Sequence, residues 1–326
     1  MQDKHGIPTT IDTLSTLLSE EGYDVITASK KQNKLWRILD MCWQTIKQRS
    51  KVDLVLIDTY STQNFWYALI VSQLCRFLGL KYIPILHGGN LPYRLKQNPN
   101  LSQLIFKHAY KLVSPSLFLK ERFKTYGYKC VYIPNTLELK NYPFTSRVID
   151  EIKLLWVRSF SEIYNPKMAI DVAKQLKEKG FEVKLCMIGP EKDGSLEATK
   201  AYAQSLNVQV KFTGGLSKQE WINISKDYNV FINTTNFDNM PVSVIEAMAL
   251  GLPIVSTNVG GLSYLLEDHD TALLVDKGHT SQMTDAIMEL KENVELYQKL
   301  SQNGRLKAEN FDWKTIKVQW ESLLTS

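Results

Sequence analysis

The chain alternates short apolar runs with longer stretches in which apolar residues recur at helical spacing. Most strand-like runs are separated by amphipathic stretches such as 166–179 and 282–302. Continuous Val/Ile/Leu runs between helices are typical of a parallel sheet covered on both faces. The pattern therefore predicts an α/β protein with two doubly wound, Rossmann-like domains. The predicted strands lie within 52–60, 81–89, 110–116, 129–136, 152–160, 183–190, 208–215, 228–235, 252–261 and 271–276.

Polar and turn-forming residues interrupt this pattern near the middle of the chain, at 141–151. A length of 326 residues also suits two domains of ordinary size better than one. We predict a first domain over residues 1–147, a second over 148–310 and a terminal helix over 311–326.

The amino terminus departs from the pattern. A doubly wound domain normally opens with a strand that leads into a glycine-containing loop. Residues 1–10 resemble the loop itself, and a helical stretch follows directly over 10–22. We therefore expect the first strand of domain one to be missing and the chain to be a truncated form. An added upstream apolar segment should then raise the melting temperature.

Composition narrows the class of protein. Apolar residues make up 44% of the chain and charged residues 22%, as in a soluble globular protein. We expect no secretory signal, because no apolar segment follows a basic start. The most apolar run, 65–80, is interrupted by Gln73 and Arg76 and is too short to span a bilayer. The four cysteines lack metal-ligand spacing and are expected to be reduced thiols of a cytoplasmic protein.

Charge is distributed unevenly. Residues 1–150 carry 20 Lys and Arg against 11 Asp and Glu, a net +9, whereas residues 151–326 carry 19 against 23, a net −4. A basic first half is compatible with contact with an anionic membrane face or a phosphorylated acceptor, although ordinary solvated lysines explain it equally well. Nucleic acid is not expected as a partner, because the sequence shows no basic stripe with interleaved aromatic residues.

The most informative segment is 238–253. The predicted strand 228–235 runs into a polar loop, Pro241 stands where a first helical residue belongs, and Gly251 and Pro253 end the helix. Free backbone N–H groups at Val242 and Ser243, with the positive end of the helix dipole, favour an anion.

Two carboxylates flank this helix start: Asp238 in the loop and Glu246 inside the helix. A carboxylate accepts two hydroxyl hydrogen bonds, which suits the vicinal diol of a ribose or hexose. A phosphate on the amides and hydroxyls on the carboxylates together indicate a nucleotide sugar. Taken singly, each acid could instead be a helix cap or a partly exposed helix residue.

This motif resembles that of retaining GT-B glycosyltransferases of family four, the glycosyl transferases group 1, in which two acidic residues stand eight apart. The resemblance implies two domains facing across a cleft, with the terminal helix crossing back to domain one. It implies that Glu246 holds the ribose and Asp238 the transferred sugar. The departures are Asp at 238 in place of the commoner Glu, and Asn239 in place of Gly. It places these further residues at the donor: Asn239, Met240, Pro241, Val242, Ser243 and Gly189.

A basic pair completes the donor side of the resemblance. Arg158 follows the first strand of domain two, where a guanidinium can stabilise the leaving diphosphate without a metal. A lysine about one helical turn later is implied as its companion. Lys167 is the candidate, although it is displaced by several residues, and Tyr164 and Asn165 are the alternatives for the usual position. A solvated lysine at a helix start explains Lys167 equally well.

The acceptor side rests on residues at other strand ends. His87 begins the sequence HGGN, and the resemblance implies that it polarises or orients hydroxyls near the transferred sugar; a structural hydrogen bond is the other account. Gly88, Asn135 and Gly6 are implied on the same side, where turn formation or capping would serve as well. Gly214 and the pair Gly260–Gly261 are expected at turns near the donor.

Together these features predict a retaining hexosyltransferase that moves a sugar from a UDP- or GDP-sugar to a glycan or lipid-linked acceptor, in surface polysaccharide assembly. No metal or cofactor is expected, because no cluster of His, Cys and Asp with metal-ligand spacing stands out. The expected location is the cytoplasm, peripherally at the inner membrane face. Two alternatives remain open: a nucleotide-sugar epimerase, and a truncated, non-catalytic sugar-nucleotide-binding protein. A dinucleotide oxidoreductase is disfavoured, since no Gly-X-Gly-X-X-Gly follows a strand.

Overall fold

The computed structural model describes residues 10–31 and 33–326. These form two compact units. The amino-terminal unit runs to Thr136 and includes Lys314–Ser326, and the carboxy-terminal unit spans Leu137–Trp313. Residues 137–147 belong to the second unit because they are hydrogen-bonded to it. The Nη1 of Arg147 donates to the carbonyl of Leu250 at 2.6 Å, and that of Arg305 donates to the carbonyl of Tyr142 at 2.7 Å.

The amino-terminal unit holds a parallel sheet of four strands in the order β1-β2-β3-β4. They are the four strands predicted for the first half of the chain. In the described residues β1 forms one edge, and no strand lies between α1 and α2. The elements are α1 (Thr10–Glu20), α2 (Lys34–Gln48), β1 (Leu54–Thr59), α3 (Asn64–Phe77), β2 (Lys81–Leu86), α4 (Leu91–Gln97), α5 (Pro99–Phe106), β3 (Val113–Ser114), α6 (Leu117–Thr125) and β4 (Val131–Tyr132).

The carboxy-terminal unit holds six parallel strands in the order β10-β9-β8-β5-β6-β7, which are the six predicted for the second half. Single 3₁₀ turns lie at Leu139–Asn141 and Glu162–Tyr164. The elements are β5 (Ile152–Val157), α7 (Pro166–Glu178), β6 (Val183–Ile188), α8 (Ser195–Ser205), β7 (Val210–Gly214), α9 (Lys218–Ser225), β8 (Val230–Asn233), α10 (Val242–Ala249), β9 (Ile254–Thr257), α11 (Leu262–Leu265), β10 (Leu273–Val275), α12 (Thr280–Glu292) and α13 (Val294–Glu309).

The strand order of this second sheet places a topological switch point between β5 and β8. The chain moves outward from β5 to β7 and then returns, so that β8 pairs with β5 on its other side. In open parallel sheets, ligands bind beyond the carboxyl ends of the strands at such a reversal. We therefore expect a ligand-binding site at the loops that follow β5 and β8.

Two local predictions need correction. The helical run expected over 282–302 is two helices, because Asn293 leaves helical geometry and its side chain accepts the backbone N–H of Leu296 at 3.0 Å. Pro241 is the residue before α10 and not its first residue. Its backbone is extended (φ −71°, ψ 113°), and its carbonyl accepts the N–H groups of Val244 and Ile245.

The last helix, α14 (Trp313–Leu324), lies almost entirely in the amino-terminal unit. It buries Ile316 and Trp320, and Lys317 Nζ pairs with Glu21 Oε2 at 2.8 Å beside the end of α1. In the part of the chain that the structure describes, no helix has the length and apolarity to cross a membrane. The two helix-covered parallel sheets confirm the α/β prediction with two Rossmann-like domains.

Candidate active site

The switch point of the carboxy-terminal sheet carries a buried ion pair. Arg158 directly follows β5, Asp238 lies in the loop after β8, and the guanidinium Nη2 contacts the carboxylate Oδ2. Each side chain is only 14% exposed. The structure thus brings together two of the residues singled out from the sequence. Because neither charge is well solvated, each depends on its partner or on a ligand to offset the cost of burial.

The surroundings of Arg158 fix its orientation. Its guanidinium carbon lies 4.3 Å from the centre of the Tyr164 ring, a cation–π geometry. Burial lowers the pKa of the Arg158 guanidinium, and contact with Tyr164 acts in the opposite direction. The Nε of Arg158 is buried and has no hydrogen-bond partner within residues 10–31 and 33–326. This arrangement leaves a donor available to an anionic ligand.

The start of α10 is the second feature of the site. In the described residues the N–H groups of Val242 and Ser243 have no backbone acceptor, and no side chain caps the helix. Ser243 is 9% exposed, and its Oγ has no hydrogen-bond partner in the described part of the chain. A buried hydroxyl without a partner is costly. Together with the helix dipole, it marks this helix start as a place for an anion.

Three glycines allow the site's loops to pack backbone against backbone. A Cβ on Gly189 would lie 1.7 Å from the carbonyl oxygen of Arg158. A Cβ on Gly260 would lie 2.2 Å from the carbonyl oxygen of Asp238, and one on Gly261 would lie 1.5 Å from that of Asn239. No side chain fits at these distances. The buried loop residues Asn239 and Met240 are therefore held in place by glycine contacts as well as by β8 and α10.

Glu246 is buried on α10 and is held by two partners from distant parts of the unit. Its Oε1 accepts a hydrogen bond from the Tyr142 hydroxyl at 2.7 Å and is paired with the Nζ of Lys218. Burial and the neighbouring carboxylate raise the pKa of the Tyr142 hydroxyl. Lys218 is the first residue of α9 and its side chain is 39% exposed. The acid expected to hold ribose is thus fixed and charge-compensated.

Lys167, the expected companion of Arg158, lies against a different aromatic ring from Arg158. It lies in the first turn of α7, and its Nζ is 5.5 Å from the centre of the Tyr202 ring on α8. The residue before that helix, Asn165, adopts a left-handed conformation (φ 45°). A second cation beside the Tyr164 ring, in addition to Arg158, is Lys192, with its Nζ 5.8 Å from the ring centre. Nothing in the local sequence pattern indicates Lys192, which follows β6 in an exposed loop.

The amino-terminal unit holds a second polar cluster at the carboxyl ends of β1 and β2. The Nε2 of His87 lies 3.0 Å from Oδ1 of Asp58, and its ring stacks on Tyr60 with centroids 5.3 Å apart. The His87 side chain is 6% exposed. A Cβ on Gly88 would lie 2.6 Å from the backbone nitrogen of Ser61, so the chain turns here only with glycine. Asp58 fixes the histidine as a carboxylate commonly does.

The remaining acceptor-side candidates have less definite surroundings. Asn135 lies partly buried in the loop after β4. Gly6 lies outside the described residues.

Sequence reasoning missed Asp58, Tyr142, Lys218 and Lys192. For Asp58 a signal existed, because a carboxylate near the end of an otherwise apolar strand points to the ligand-binding edge of the sheet. Tyr142 and Lys218 lie in segments far from 238–253 in sequence, and nothing in their local pattern indicates that they meet Glu246.

The carboxy-terminal unit matches the model of a known protein family. The family model described as "Glycosyl transferases group 1" matches residues 143–307, about half of the chain. The match contains Arg158, Asp238 and Glu246, and it starts just after Tyr142.

Two curated relatives show the same relationship. An uncharacterized glycosyltransferase of Haemophilus influenzae is 26% identical over 211 residues, covering 63% of this chain and 57% of that protein. The capsular polysaccharide biosynthesis glycosyltransferase CapM of Staphylococcus aureus is 30% identical over 152 residues, covering 46% of this chain and 39% of CapM. The aligned part of this chain therefore covers little more than half of the length of the first relative and less than half of the length of CapM.

The fold likeness extends further than the sequence likeness. The crystal structure of Anabaena HepE in complex with UDP-glucose matches with a TM-score of 0.78 at 17% identity, covering 96% of this chain and 89% of HepE. At this identity the likeness shows the fold, and it supports the predicted GT-B class.

Proposed function

Since the chain belongs to the glycosyl transferases group 1 family, we propose that it transfers a hexose from a nucleoside diphosphate sugar to a hydroxyl group. The observation that carries this proposal is the pairing of Arg158 with Asp238 at the switch point, beside the uncapped start of α10. The guanidinium of Arg158 suits a diphosphate, and the carboxylate of Asp238 suits sugar hydroxyls.

We place the diphosphate between Arg158 and the start of α10. Arg158 Nε, Ser243 Oγ and the backbone N–H groups of Val242 and Ser243 are donors without partners in the described residues. As the glycosidic bond to phosphate breaks, negative charge grows on the leaving oxygen. Donors that are already oriented stabilise this charge without reorganising. Gly189, which closes on the backbone of Arg158, lines the same edge of the sheet.

In this proposal each of the two acids binds one sugar of the donor. Glu246 accepts hydrogen bonds from the ribose hydroxyls, and Asp238 accepts hydrogen bonds from hydroxyls of the transferred hexose. Asn239 and Met240 form the loop beside Asp238. HepE, which has this fold, was crystallised with UDP-glucose, so UDP-glucose is the first donor to test. GDP-sugars are the second choice.

The reaction we propose proceeds with retention. The acceptor oxygen forms a bond to the anomeric carbon on the face from which the diphosphate leaves. The bond from that carbon to the phosphate oxygen breaks, and the acceptor proton passes to the departing phosphate oxygen. Catalysis then consists of diphosphate stabilisation and positioning. His87, held by Asp58, orients a hydroxyl, and Gly88 and Asn135 contribute to the acceptor side.

The acceptor we propose is a glycan or a lipid-linked glycan used in surface polysaccharide assembly, by analogy with CapM. The basic excess of residues 1–150 supports a cytoplasmic protein in peripheral contact with the anionic inner membrane face. We further propose that transfer needs no metal, because Arg158 and the helix start already supply positive charge at the diphosphate.

Calorimetric titration of UDP, GDP and NAD in EDTA tests the donor site directly. We expect UDP or GDP to bind and NAD not to bind. Glu246→Gln should weaken nucleotide binding about tenfold, because a charged acceptor for the ribose diol is lost. Glu267→Gln is the matched control, since Glu267 pairs with Lys307 at 2.6 Å on the surface of the same unit. Unchanged affinity in Glu246→Gln would refute the ribose role.

Turnover is tested separately by UDP release from UDP-glucose in the presence of glycan acceptors. Arg158→Ala should lower the rate about a hundredfold or more while the protein stays folded. A near-normal rate would exclude Arg158 from catalysis. Binding without turnover in the wild type would favour a non-catalytic sugar-nucleotide-binding protein. Turnover that appears only when Mn²⁺ or Mg²⁺ is added would overturn metal independence.

A further inference from the structure

The loop that follows β1 in the amino-terminal unit is held by an arginine that has no role in the proposed donor site. Arg94 lies on α4, and its Nε donates to the carbonyl of Ser61 at 2.7 Å. Its Nη1 donates to Oδ1 of Asn98 at 3.1 Å, at the corner between α4 and α5. The guanidinium carbon lies 5.2 Å from the centre of the buried Phe65 ring. Two hydrogen bonds and a cation–π contact therefore fix this guanidinium.

The same loop contacts the acceptor-side histidine. Tyr60, the residue before Ser61, stacks on the His87 ring. Gly88 lies so close to Ser61 that a Cβ would be 2.6 Å from the Ser61 nitrogen. Arg94, His87 and Gly88 thus contact two consecutive loop residues. Arg94 is therefore held at the carboxyl-end edge of the sheet, where the acceptor hydroxyl is expected to be oriented.

The charge of Arg94 is not compensated by an acid. Its side chain is partly buried, and within residues 10–31 and 33–326 no carboxylate lies at ion-pair distance from it. Its Nη2 has no hydrogen-bond partner among the same residues. An anionic ligand would supply both the counter-charge and an acceptor for Nη2.

The surrounding sequence accounts for this lack of an acid. Residues 59–120 carry seven Lys and Arg and no Asp or Glu, a net +7. This segment contains the loops that follow β1, β2 and β3, which meet at one edge of the parallel sheet. Asp58, within β1, is an acid at this edge, and it pairs with His87. A positive edge of this kind favours an anionic ligand over a neutral one.

We infer that Arg94 binds an oxyanion on the acceptor, so that the acceptor is an acidic sugar that carries a phosphate ester or a carboxylate. A guanidinium recognises either group through charge-assisted hydrogen bonds from planar, fixed donors. Nη2 supplies donors to the ligand, while Nε and Nη1 keep the guanidinium in place. A neutral sugar would leave Arg94 without a counter-charge and would bind more weakly at this edge.

This inference rests on the proposed function, because that function assigns the edge near His87 to the acceptor. Its failure is distinguishable from failure of the donor site, because Arg94 and Arg158 lie in different units and are tested with different ligands. Absence of UDP binding would refute the donor site and would leave the measurement on Arg94 intact.

The test is a ligand-observed NMR titration of the full chain with glucose 6-phosphate, glucuronate and glucose. Saturating UDP occupies the donor site, and the titration is repeated without UDP in Arg158→Ala, which removes the donor-side guanidinium. We expect glucose 6-phosphate or glucuronate to bind about tenfold more tightly than glucose, and added salt to reduce the difference. The anion that shows this preference identifies the acidic group as phosphate or carboxylate.

Variants assign the preference to Arg94. Arg94→Gln should weaken binding of the anionic sugar about tenfold and leave the binding of glucose and UDP unchanged. Arg94→Lys keeps the charge but loses the planar donors, so its affinity should be intermediate. Arg76→Gln is the matched control, because Arg76 is an exposed arginine in the last turn of α3, near the start of β2 and thus at the opposite edge of the sheet. It should bind each ligand as the wild type does.

Thermal unfolding shows whether each variant is folded, and Arg94→Lys carries the test should Arg94→Gln unfold. Glucose binding as tightly as both anions would overturn the inference, and so would equal affinity for the anions in Arg94→Gln and wild type. A lowered Tm with unchanged binding would assign Arg94 only to holding Ser61 and the corner between α4 and α5. Equal weakening in Arg76→Gln would attribute the preference to the net charge of the unit and would also contradict a site at Arg94.

Discussion

Within residues 10–31 and 33–326 the Ser243 hydroxyl has no hydrogen-bond partner, and this leads to two predicted effects of Ser243→Ala that have opposite signs. A buried hydroxyl without a hydrogen bond costs about 1–3 kcal/mol, so its removal should stabilise the free protein. If the same hydroxyl binds a phosphate oxygen, its removal should weaken the nucleotide complex. A serine with a purely structural role would not produce both effects. Ser243→Ala therefore separates a ligand-binding residue from a packing residue.

The magnitudes follow from the environment of the side chain. Ser243 is 9% exposed, so most of the hydroxyl's desolvation cost is retained, and about 1 kcal/mol of stabilisation is expected. For a folding unit of this size that corresponds to a rise of about 2–4 °C in Tm. A hydrogen bond to a charged group contributes about 1.5–3 kcal/mol, so the Kd for UDP should rise about tenfold to a hundredfold.

Ser301→Ala is the matched control. Ser301 is 5% exposed, but its Oγ donates to the carbonyl of Gly251 at 2.7 Å. Its removal leaves that carbonyl without a donor and should lower Tm, with the Kd for UDP unchanged. Differential scanning calorimetry without ligand gives the first quantity, and titration in EDTA gives the second. A lowered Tm in Ser243→Ala, or an unchanged Kd, would refute the reasoning.

Three further predictions concern charged groups around the site. Lys192→Ala should weaken UDP binding more than Lys167→Ala, because Lys192 lies near Tyr164, the ring beside Arg158, whereas Lys167 lies against Tyr202. Titration of both variants with UDP measures the two affinities. The reverse order would favour Lys167 as the companion of Arg158. Lys218→Met should lower Tm, because it leaves the buried Glu246 with the Tyr142 hydroxyl alone, and an unchanged melting curve would show that the pair contributes nothing. Hydrogen bonds from the Ser161 and Ser195 hydroxyls hold the pKa of Asp193 at about 2, below its ordinary value; the stability it provides is therefore present above the ordinary value and is lost as pH falls towards 2. The difference in Tm between wild type and Asp193→Asn should accordingly shrink over that acidic range, and a constant difference would contradict the assignment.

The strands were predictable because each is a short, continuous apolar run, the pattern of a strand covered on both faces. All ten predicted runs contain the observed strands, and the two sheets divide them as expected. Helix boundaries were less predictable. The break at Asn293 depends on a side-chain cap inside a run with continuous helical periodicity. The position of Pro241 depends on one residue's ψ angle, which the helix-start signal does not specify.

The site residues were predictable where a charged side chain directly follows a predicted strand. Arg158 and Asp238 each follow a strand of the second sheet, and the order β8-β5 brings them into contact. The partners of Glu246 were not predictable. Tyr142 and Lys218 lie 104 and 28 residues away from it, and only the packing of their segments against α10 brings them together. Lys167 stays a prediction: its Nζ lies 5.5 Å from the centre of the Tyr202 ring, a contact that its position at a helix start does not indicate.

Both acids of the site hold a cation in the free protein, and this has a consequence for donor binding. Asp238 pairs with Arg158, and Glu246 pairs with Lys218, so both of these carboxylates are charge-compensated. A nucleotide sugar offers three of these four groups a replacement: its diphosphate carries negative charge for Arg158, and its hydroxyls are donors for Asp238 and Glu246. The fourth group, Lys218, has a side chain that is 39% exposed and is solvated when it leaves Glu246. Binding can therefore exchange one set of partners for another without leaving a buried charged group without a hydrogen-bond partner. Free UDP supplies the diphosphate but no hexose hydroxyls for Asp238. UDP-glucose should consequently bind at least as tightly as UDP, and Asp238→Asn should weaken UDP-glucose more than UDP in parallel titrations. Equal weakening of both ligands would show that Asp238 acts only by holding Arg158.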